Sequence, residues 1–569
     1  MAKLKSKKIE EEGSQPIYKI KVEKDIPITM PDGVRLFADI YRPDAEGKFP
    51  GLLSYSPYGK ELQTLTKPKE IVDYETVSRG WLVAEAGNTE YFVSRGYVHV
   101  IPDTRGCATS EGKYSGEKEA EDGYNIIEWM AKQPWCNGNV GMLGMSWFAM
   151  ISLRVAALNP PHLKAICPVE ALTDLYRHMM YHGGIFHYGF LQYPFAPIHS
   201  IEESHEVSKE EFAKRINELK NNEDIRAYPL AFRVLILPTM GPFLFNAMMH
   251  PYDGPHWRKG SAYDIFDKIK IPCYLMCRWT AWPLHLPGAF QSYENIKTPK
   301  KLRMYTTPIL SAYPSLTGPQ RPWHENHDHI LRWYDHWLKG IDTGIMDEPP
   351  IQLFVQGVNQ WRDEYEWPLA RTKWAKYYLR SDAKLDQVPP IPGERPDSFI
   401  NKPWLQMAEE VPFVKFTTPP LIEDVEVTGP IALYFHASLN AGDANWMADI
   451  KDIGPNGAER MVSKGWLKAS HRELDETKSK PYQPFHPHHR SIPVEPGKIC
   501  EYAMAIMETS NVFRAGHRIQ LIIKGQDSRW EEGDHYFHLN NMKETKHSIY
   551  HCDEYPSYLL LPIIPSSGR

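Results

Sequence analysis

No run of about 18 apolar residues occurs anywhere in the 569-residue chain, so the sequence predicts no membrane-spanning helix and no membrane partner. The opening MAKLKSKKIEEEGSQ is basic but lacks the apolar stretch of roughly 7 to 15 residues that a secretory signal needs, and it reads as a solvated tail. Cysteine is scarce. Seven are scattered at positions 107, 136, 167, 273, 277, 500 and 552, an odd number with no CxxC pair. That pattern argues against a zinc site and for reduced thiols in a cytoplasmic protein. Neither sign of charge dominates: the formal net charge is -6. No Lys/Arg cluster alternates with aromatics as a nucleic-acid groove requires, which disfavours a nucleic-acid partner. Internal repeats and low-complexity tracts are also missing.

What the chain has is material for large cores: 42% hydrophobic residues, 17 Trp and 31 Tyr. At ~150 residues per domain the length predicts two to four domains. From Ile17 to Val100, strand-like runs (VRLFADIYRP, GLLSYSP, YVHVIPD) alternate with turns such as Pro31-Asp32-Gly33. Glu117 to Gln133 then sets Ile126, Ile127, Trp129 and Met130 on one helical face, and VGMLGMS gives a short buried strand leading into the helix FAMISLRVAAL. This β-α-β-α alternation is the pattern of a parallel sheet.

Between Thr173 and Asp264 the pattern turns aromatic, Met-rich and amphipathic without a clear strand, and includes the charged helix SKEEFAKRINELK; it reads as a helical cap. Alternation returns with the strand IPCYLMCRW and runs to the helix HDHILRWYDHWLKG, which Gly340 is placed to end. After Asp347-Glu348-Pro349-Pro350, short strand-like runs such as IQLFVQG, KWAKYYLRS, IALYFHAS and RIQLIIKG predict an all-β sandwich. The expected fold class is therefore α/β, with a core at 17–172 and 265–348, a cap at 173–264 and a sandwich at 349–569.

Asn139 to Phe148 reads NVGMLGMSWF: a strand, then Gly144-x-Ser146, then a helix. A nucleophile elbow needs small residues beside the serine, because the strained turn brings neighbouring backbone close while lifting the hydroxyl above the sheet. The first glycine is present; Phe148 replaces the second. The simpler alternative is a serine that caps the helix.

Longer strings carry a family resemblance. PDGVRLFADIYRP, SYSPYGK, DTRGCATSEG, WCNGNVGMLGMSW, WYDHWLKG, FVQGVNQWRDEYEWP and SNVFRAGHRIQLII resemble the CocE/NonD group of acyl hydrolases over nearly the whole chain. The resemblance implies an α/β-hydrolase core with an inserted helical cap and a C-terminal jelly-roll β-sandwich. It also implies homodimers or larger assemblies, and a small ester or amide as substrate. Carried onto this chain, the nucleophile is Ser146, and the oxyanion hole is the Trp147 backbone N–H with the Tyr58 hydroxyl. Without the family, Tyr58 reads equally well as a core tyrosine.

The family's acid and base do not transfer. The position aligned with the acid is Ala281, and no histidine stands at the base position near Ser311. A serine hydroxyl needs a neighbouring base, and the base needs an acceptor to orient it. Candidates for the base are His324 with Glu325, preferred here, then His285 and His327 with Asp328; each reads otherwise as a histidine at a helix start. PFHPHHR (484–490) resembles a metal site in composition but falls in a Pro-rich stretch without matching carboxylates, and reads as a surface loop. YRHMMYHGGIFHYGFLQYPF reads either as core or as the lining of an acyl pocket, with His182 and His187 conceivable neighbours of Ser146. The expected activity is serine-dependent hydrolysis of an ester or amide through an acyl-enzyme, without metal or cofactor. The vacant acid and base positions favour one alternative, a silent scaffold that binds small acyl compounds; acyl transfer to an amine or alcohol is another.

Overall fold

The computed structural model describes residues 13–64, 85–187, 209–226, 235, 242–306, 326–402, 410–528 and 538–566. The chain divides into two compact units. The first holds Met1–Leu175, Trp257–Leu353 and Asp363–Tyr365; the second holds Tyr176–His256, Phe354–Arg362 and Glu366–Arg569.

The first unit is built on a mixed sheet. Its strands are β1 (Ile20–Thr29), β2 (Arg35–Pro43), β3 (Phe49–Leu53), β4 (Val98–Pro102), β5 (Cys136–Met145) and β6 (Leu163–Val169). A two-strand hairpin, β7 (Tyr181–His182) and β8 (Ile185–Phe186), belongs to the second unit, and the sheet resumes with β9 (Cys273–Arg278), β10 (Lys300–Tyr305), β11 (Ile351–Val355) and β12 (Gln360–Glu364). The order is β1-β2-β4-β3-β5-β6-β9-β10-β11-β12. β1, β2 and β4 pair antiparallel, whereas β4-β3-β5-β6-β9-β10-β11 pair parallel. Central strands such as VHVIP and CYLMCR are mostly apolar and buried along nearly their whole length, as in a parallel sheet with helices on both faces. β11, expected with the β domain, instead extends this sheet by pairing Leu302 with Ile351.

The helices follow the 3.6-residue pattern. Lys118–Ala131 buries Ile126, Ile127 and Met130, and His327–Lys339 buries Ile330, Trp333, Tyr334 and Leu338. The latter ends at Gly340, whose φ of 70° is the left-handed cap glycine adopts without a steric penalty. Within β4 His99 is buried, with Nε2 2.7 Å from Ser54 Oγ and Nδ1 3.1 Å from Thr89 Oγ1. Burial favours the neutral ring and lowers its pKa to about 3. The unfolded chain therefore takes up this proton first, so the contribution of His99 is whole above about pH 6.5 and shrinks as pH falls towards 3. Urea unfolding at pH 7 and pH 5 should show wild type losing about 2 kcal/mol more than His99→Gln over that interval.

In the second unit, the segment expected to lack strands contains the β7–β8 hairpin. Gly183 and Gly184, both at positive φ, supply the two-residue turn that such a hairpin needs. The charged helix is Lys209–Asn221. Eleven further strands join in one sheet, and the additional pairing of Val425–Leu439 with Tyr558–Ile564 closes it on itself. Its core gathers Leu433, Phe435, Trp446, Ile450, Tyr502 and Ile523.

Candidate active site

Ser146 is the whole turn between β5 and the helix Trp147–Ala157. Its backbone sits at φ 61° and ψ -114°, a conformation that costs a non-glycine residue about 1–3 kcal/mol and recurs at functional sites. The surroundings hold it there: Ser146 N–H donates to Val169 O of β6 at 3.0 Å, and Ser146 O accepts from Met150 N, also at 3.0 Å. The residue is half-buried and its side chain does not cap the helix.

Gly144 makes the turn fit. At φ 146°, a Cβ placed on it would lie 2.4 Å from Phe148 Cβ. The phenyl group that broke the small-residue pattern thus packs into the space left by the first glycine. Gly144→Ala is expected to destabilise the fold by at least about 2 kcal/mol and to depress activity, read by thermal unfolding and ester hydrolysis.

The Tyr58 side chain is buried beside Ser146, close enough for the serine to act on the phenol. Burial, with the charge of Glu85 adding to it, raises the phenol well above its ordinary pKa, so the group stays a protonated donor. The tyrosine ring packs edge-on against Trp147 and Phe148, at centroid distances of 6.4 and 6.0 Å. Its loop is pinned next door, where Lys60 N–H donates to Asp103 Oδ1 at 2.8 Å and Lys60 Nζ lies 2.8 Å from Asp25. Trp147 is fixed as well: its indole N–H donates to Glu119 at 3.2 Å, and Arg154 pairs with the same carboxylate at 3.0 Å. The Trp147 backbone N–H belongs to the first helical turn, whose amides have no partner within the helix and point towards the serine end.

The expected acid position, Ala281, is buried and carries no polar side chain. His285 is buried at the residue before the helix Leu286–Asn295 and does not cap it. His327 is buried against Tyr91 and Phe92, and its Nε2 accepts from Asn88 N–H at 3.2 Å. Asp328 accepts from the Tyr91 hydroxyl rather than orienting His327. His324, Glu325 and Ser311 lie outside the described residues.

Sequence reasoning missed Glu170. It directly follows β6 at φ 51°, is buried, accepts from the Tyr305 hydroxyl at 2.6 Å, and lies 3.0 Å from Arg278 Nη2. The available signal was an acidic residue directly behind the buried strand LKAICPV.

Other histidines are committed elsewhere. In the second unit, His182 Nδ1 lies 2.7 Å from His538 Nε2, and His538 Nδ1 lies 3.0 Å from Asp527. His187 Nδ1 is 2.8 Å from Met179 O. The aromatic stretch is mostly buried as far as it is described, and Tyr181 and Phe186 also line a cavity of about 610 Å³ within this unit. The PFHPHHR segment is not the surface loop expected. His486 and His488 are buried, and the ring nitrogens of His486 face the carbonyls of Glu473 and Ala503 at 2.9 and 2.7 Å, so main-chain acceptors give polar rings a place inside. Among the described residues no group of three or more His, Cys, Asp or Glu could hold a metal, and no helix is long and apolar enough to cross a membrane.

Comparison with known proteins bears directly on this geometry. Residues 32–308 match the X-Pro dipeptidyl-peptidase (S15) family, and 343–560 match the X-Pro dipeptidyl-peptidase C-terminal non-catalytic domain. The chain is 26% identical to cocaine esterase of Rhodococcus sp., over 95% of this chain and 98% of that protein. A CocE/NonD family hydrolase from Staphylococcus aureus superposes with a TM-score of 0.76 at 25% identity, covering 96% and 94% of the two chains. An α-amino acid ester hydrolase shares the fold, with a TM-score of 0.76 at 18% identity over 97% of each chain. Sheet, elbow and relatives agree on the class: this is a serine hydrolase with an α/β-hydrolase domain and a C-terminal β-rich domain. Within that class the chain belongs to the CocE/NonD family.

Proposed function

We propose that Ser146 is the nucleophile of an ester or amide hydrolase that works through an acyl-enzyme. One observation carries this reading: a serine at φ 61°, half-buried on a strand-to-helix turn, beside a buried tyrosine that keeps its proton. Ser146 Oγ bonds to the substrate carbonyl carbon as its proton passes to the base, and the carbonyl π electrons move onto oxygen. The Tyr58 hydroxyl and the Trp147 N–H donate to that oxyanion. The tetrahedral species then collapses, the bond to the leaving group breaks, and the base returns its proton to the departing alcohol or amine. Water repeats the sequence on the acyl-enzyme and frees the acid. On the sequence we assign His324 as the base.

The relatives' names support esters or peptides as substrates. We divide the chain functionally at 172/173 and 264/265, end the hydrolase core after Leu353 rather than at 348/349 because β11 pairs with β10, and read the β domain as a jelly roll, supported by its antiparallel pairings. All seven cysteines are free, five of them buried, which supports a reducing cytoplasmic setting. A fluorophosphonate probe tests the nucleophile: labelling of wild type that disappears in Ser146→Ala is expected, and equal labelling of both would overturn the assignment.

A further inference from the structure

The vacant acid position leaves a need. An imidazole that takes the serine proton becomes a cation, and a buried carboxylate nearby both orients it and stabilises that charge. Ala281 supplies neither.

We propose that Glu170 provides this carboxylate, as a positioning residue acting through the general base of the Ser146 reaction. The inference rests on Ser146 being the nucleophile. Four observations support it. First, β5 and β6 are parallel neighbours, and each is followed at once by a non-glycine residue at positive φ, Ser146 at 61° and Glu170 at 51°. Second, the two turns are linked, since Ser146 N–H donates to Val169 O at 3.0 Å. Strain on one turn alone has a local explanation; two such turns side by side on the sheet's C-terminal edge place a hydroxyl and a carboxylate in the same region.

Third, Glu170 touches the ends of both strands that precede the family's acid and base positions. Its Oε1 accepts from Tyr305, the last residue of β10, which precedes the base position. Its Oε2 is paired with Arg278, the last residue of β9, three residues before Ala281. Trp279 N–H donates to Tyr305 O at 3.0 Å and Ala281 N–H to Arg278 O at 3.3 Å, so the ends of β9 and β10 are tied together beside the carboxylate. Fourth, the carboxylate has capacity to spare. An ionised carboxylate has about four acceptor sites, and Tyr305 and Arg278 occupy two.

Through the cycle Glu170 neither gains nor loses a proton. The proton moves from Ser146 to the base and on to the leaving group, while the carboxylate holds the ring and offsets its transient charge.

The test is steady-state hydrolysis of p-nitrophenyl acetate against pH by the full chain. Glu170→Gln, nearly isosteric and uncharged, is expected to lower kcat by about 10²- to 10⁴-fold with little change in KM. The acidic limb of kcat/KM should move about one pH unit lower, because removing a neighbouring anion makes the base easier to deprotonate. Arg278→Gln keeps the carboxylate and should not move that limb down. Glu170→Asp should recover part of the rate, and Ala281→Asp in the Glu170→Gln background should recover at least about tenfold. If Glu170→Gln alone fails to fold, Glu170→Gln with Arg278→Gln removes both buried charges together and should show the same lowered limb.

A folded Glu170→Gln enzyme with wild-type kcat and an unmoved limb would overturn the proposal. So would a loss of rate matched by Arg278→Gln with no movement of the limb, since that pattern belongs to a merely structural pair. Ser146→Ala, run alongside, separates the two layers: activity surviving there overturns the nucleophile itself, whereas a dead Ser146→Ala beside an indifferent Glu170→Gln removes only the role of Glu170.

Discussion

Ser146→Ala is expected to lower kcat on an activated ester by about 10⁴- to 10⁶-fold while leaving the fold intact, because it removes the only atom that bonds to the acyl carbon. The residual rate would come from the donors that still polarise the carbonyl. Ser146→Gly sharpens the test. Glycine accepts positive φ without the Cβ clash that strains serine at 61°, so this variant should be equally inactive yet more stable than wild type by about 1 kcal/mol. Thermal unfolding beside single-turnover kinetics reads both quantities. A rise in melting temperature with loss of activity is the signature of strain held for function; a fall would mean that the turn is not strained and that the elbow reading is wrong.

Tyr58→Phe should cost about 10²- to 10³-fold in kcat with a small change in KM, because the hydroxyl is needed most when the carbonyl oxygen carries negative charge. The ring's packing on Trp147 and Phe148 survives the change, so stability should stay close to wild type. The pH profile should keep its shape, since the buried phenol remains protonated throughout the working range. A KM effect without a kcat effect would assign Tyr58 to ground-state binding, and no effect would make it the core tyrosine that the sequence alone equally allows.

The elbow was legible because its parts are local. A buried strand, a glycine, a serine and an apolar helix follow one another within a dozen or so residues, and backbone sterics leave few ways to connect them. Phe148 was harder to interpret. Sequence spacing shows that a small residue is missing; only the packed turn shows the benzyl group seated against the hydrogen of Gly144. The PFHPHHR segment misled because composition reports what a loop is made of and not what covers it. Its prolines mark an irregular path, but the carbonyls that the His486 ring nitrogens face belong to Glu473 and Ala503, on other stretches of chain. Glu170 escaped for a related reason. At the end of LKAICPV it is one acid among many, and its meaning depends on β9 and β10 bringing Arg278 and Tyr305 to the same edge.

By itself the sequence determined the alternating order of strands and helices, the positions of Ser146 and Tyr58, and the lack of a carboxylate at 281, since periodicity and motif spacing are properties of contiguous residues. Tertiary structure alone decided that Tyr58 reaches Ser146, that Gly144 makes room for Phe148, and that Glu170 lies beside Arg278 and Tyr305. The physical reason is that hydrogen bonding and desolvation act over a few ångströms of space, and a parallel sheet brings together residues that the chain keeps far apart.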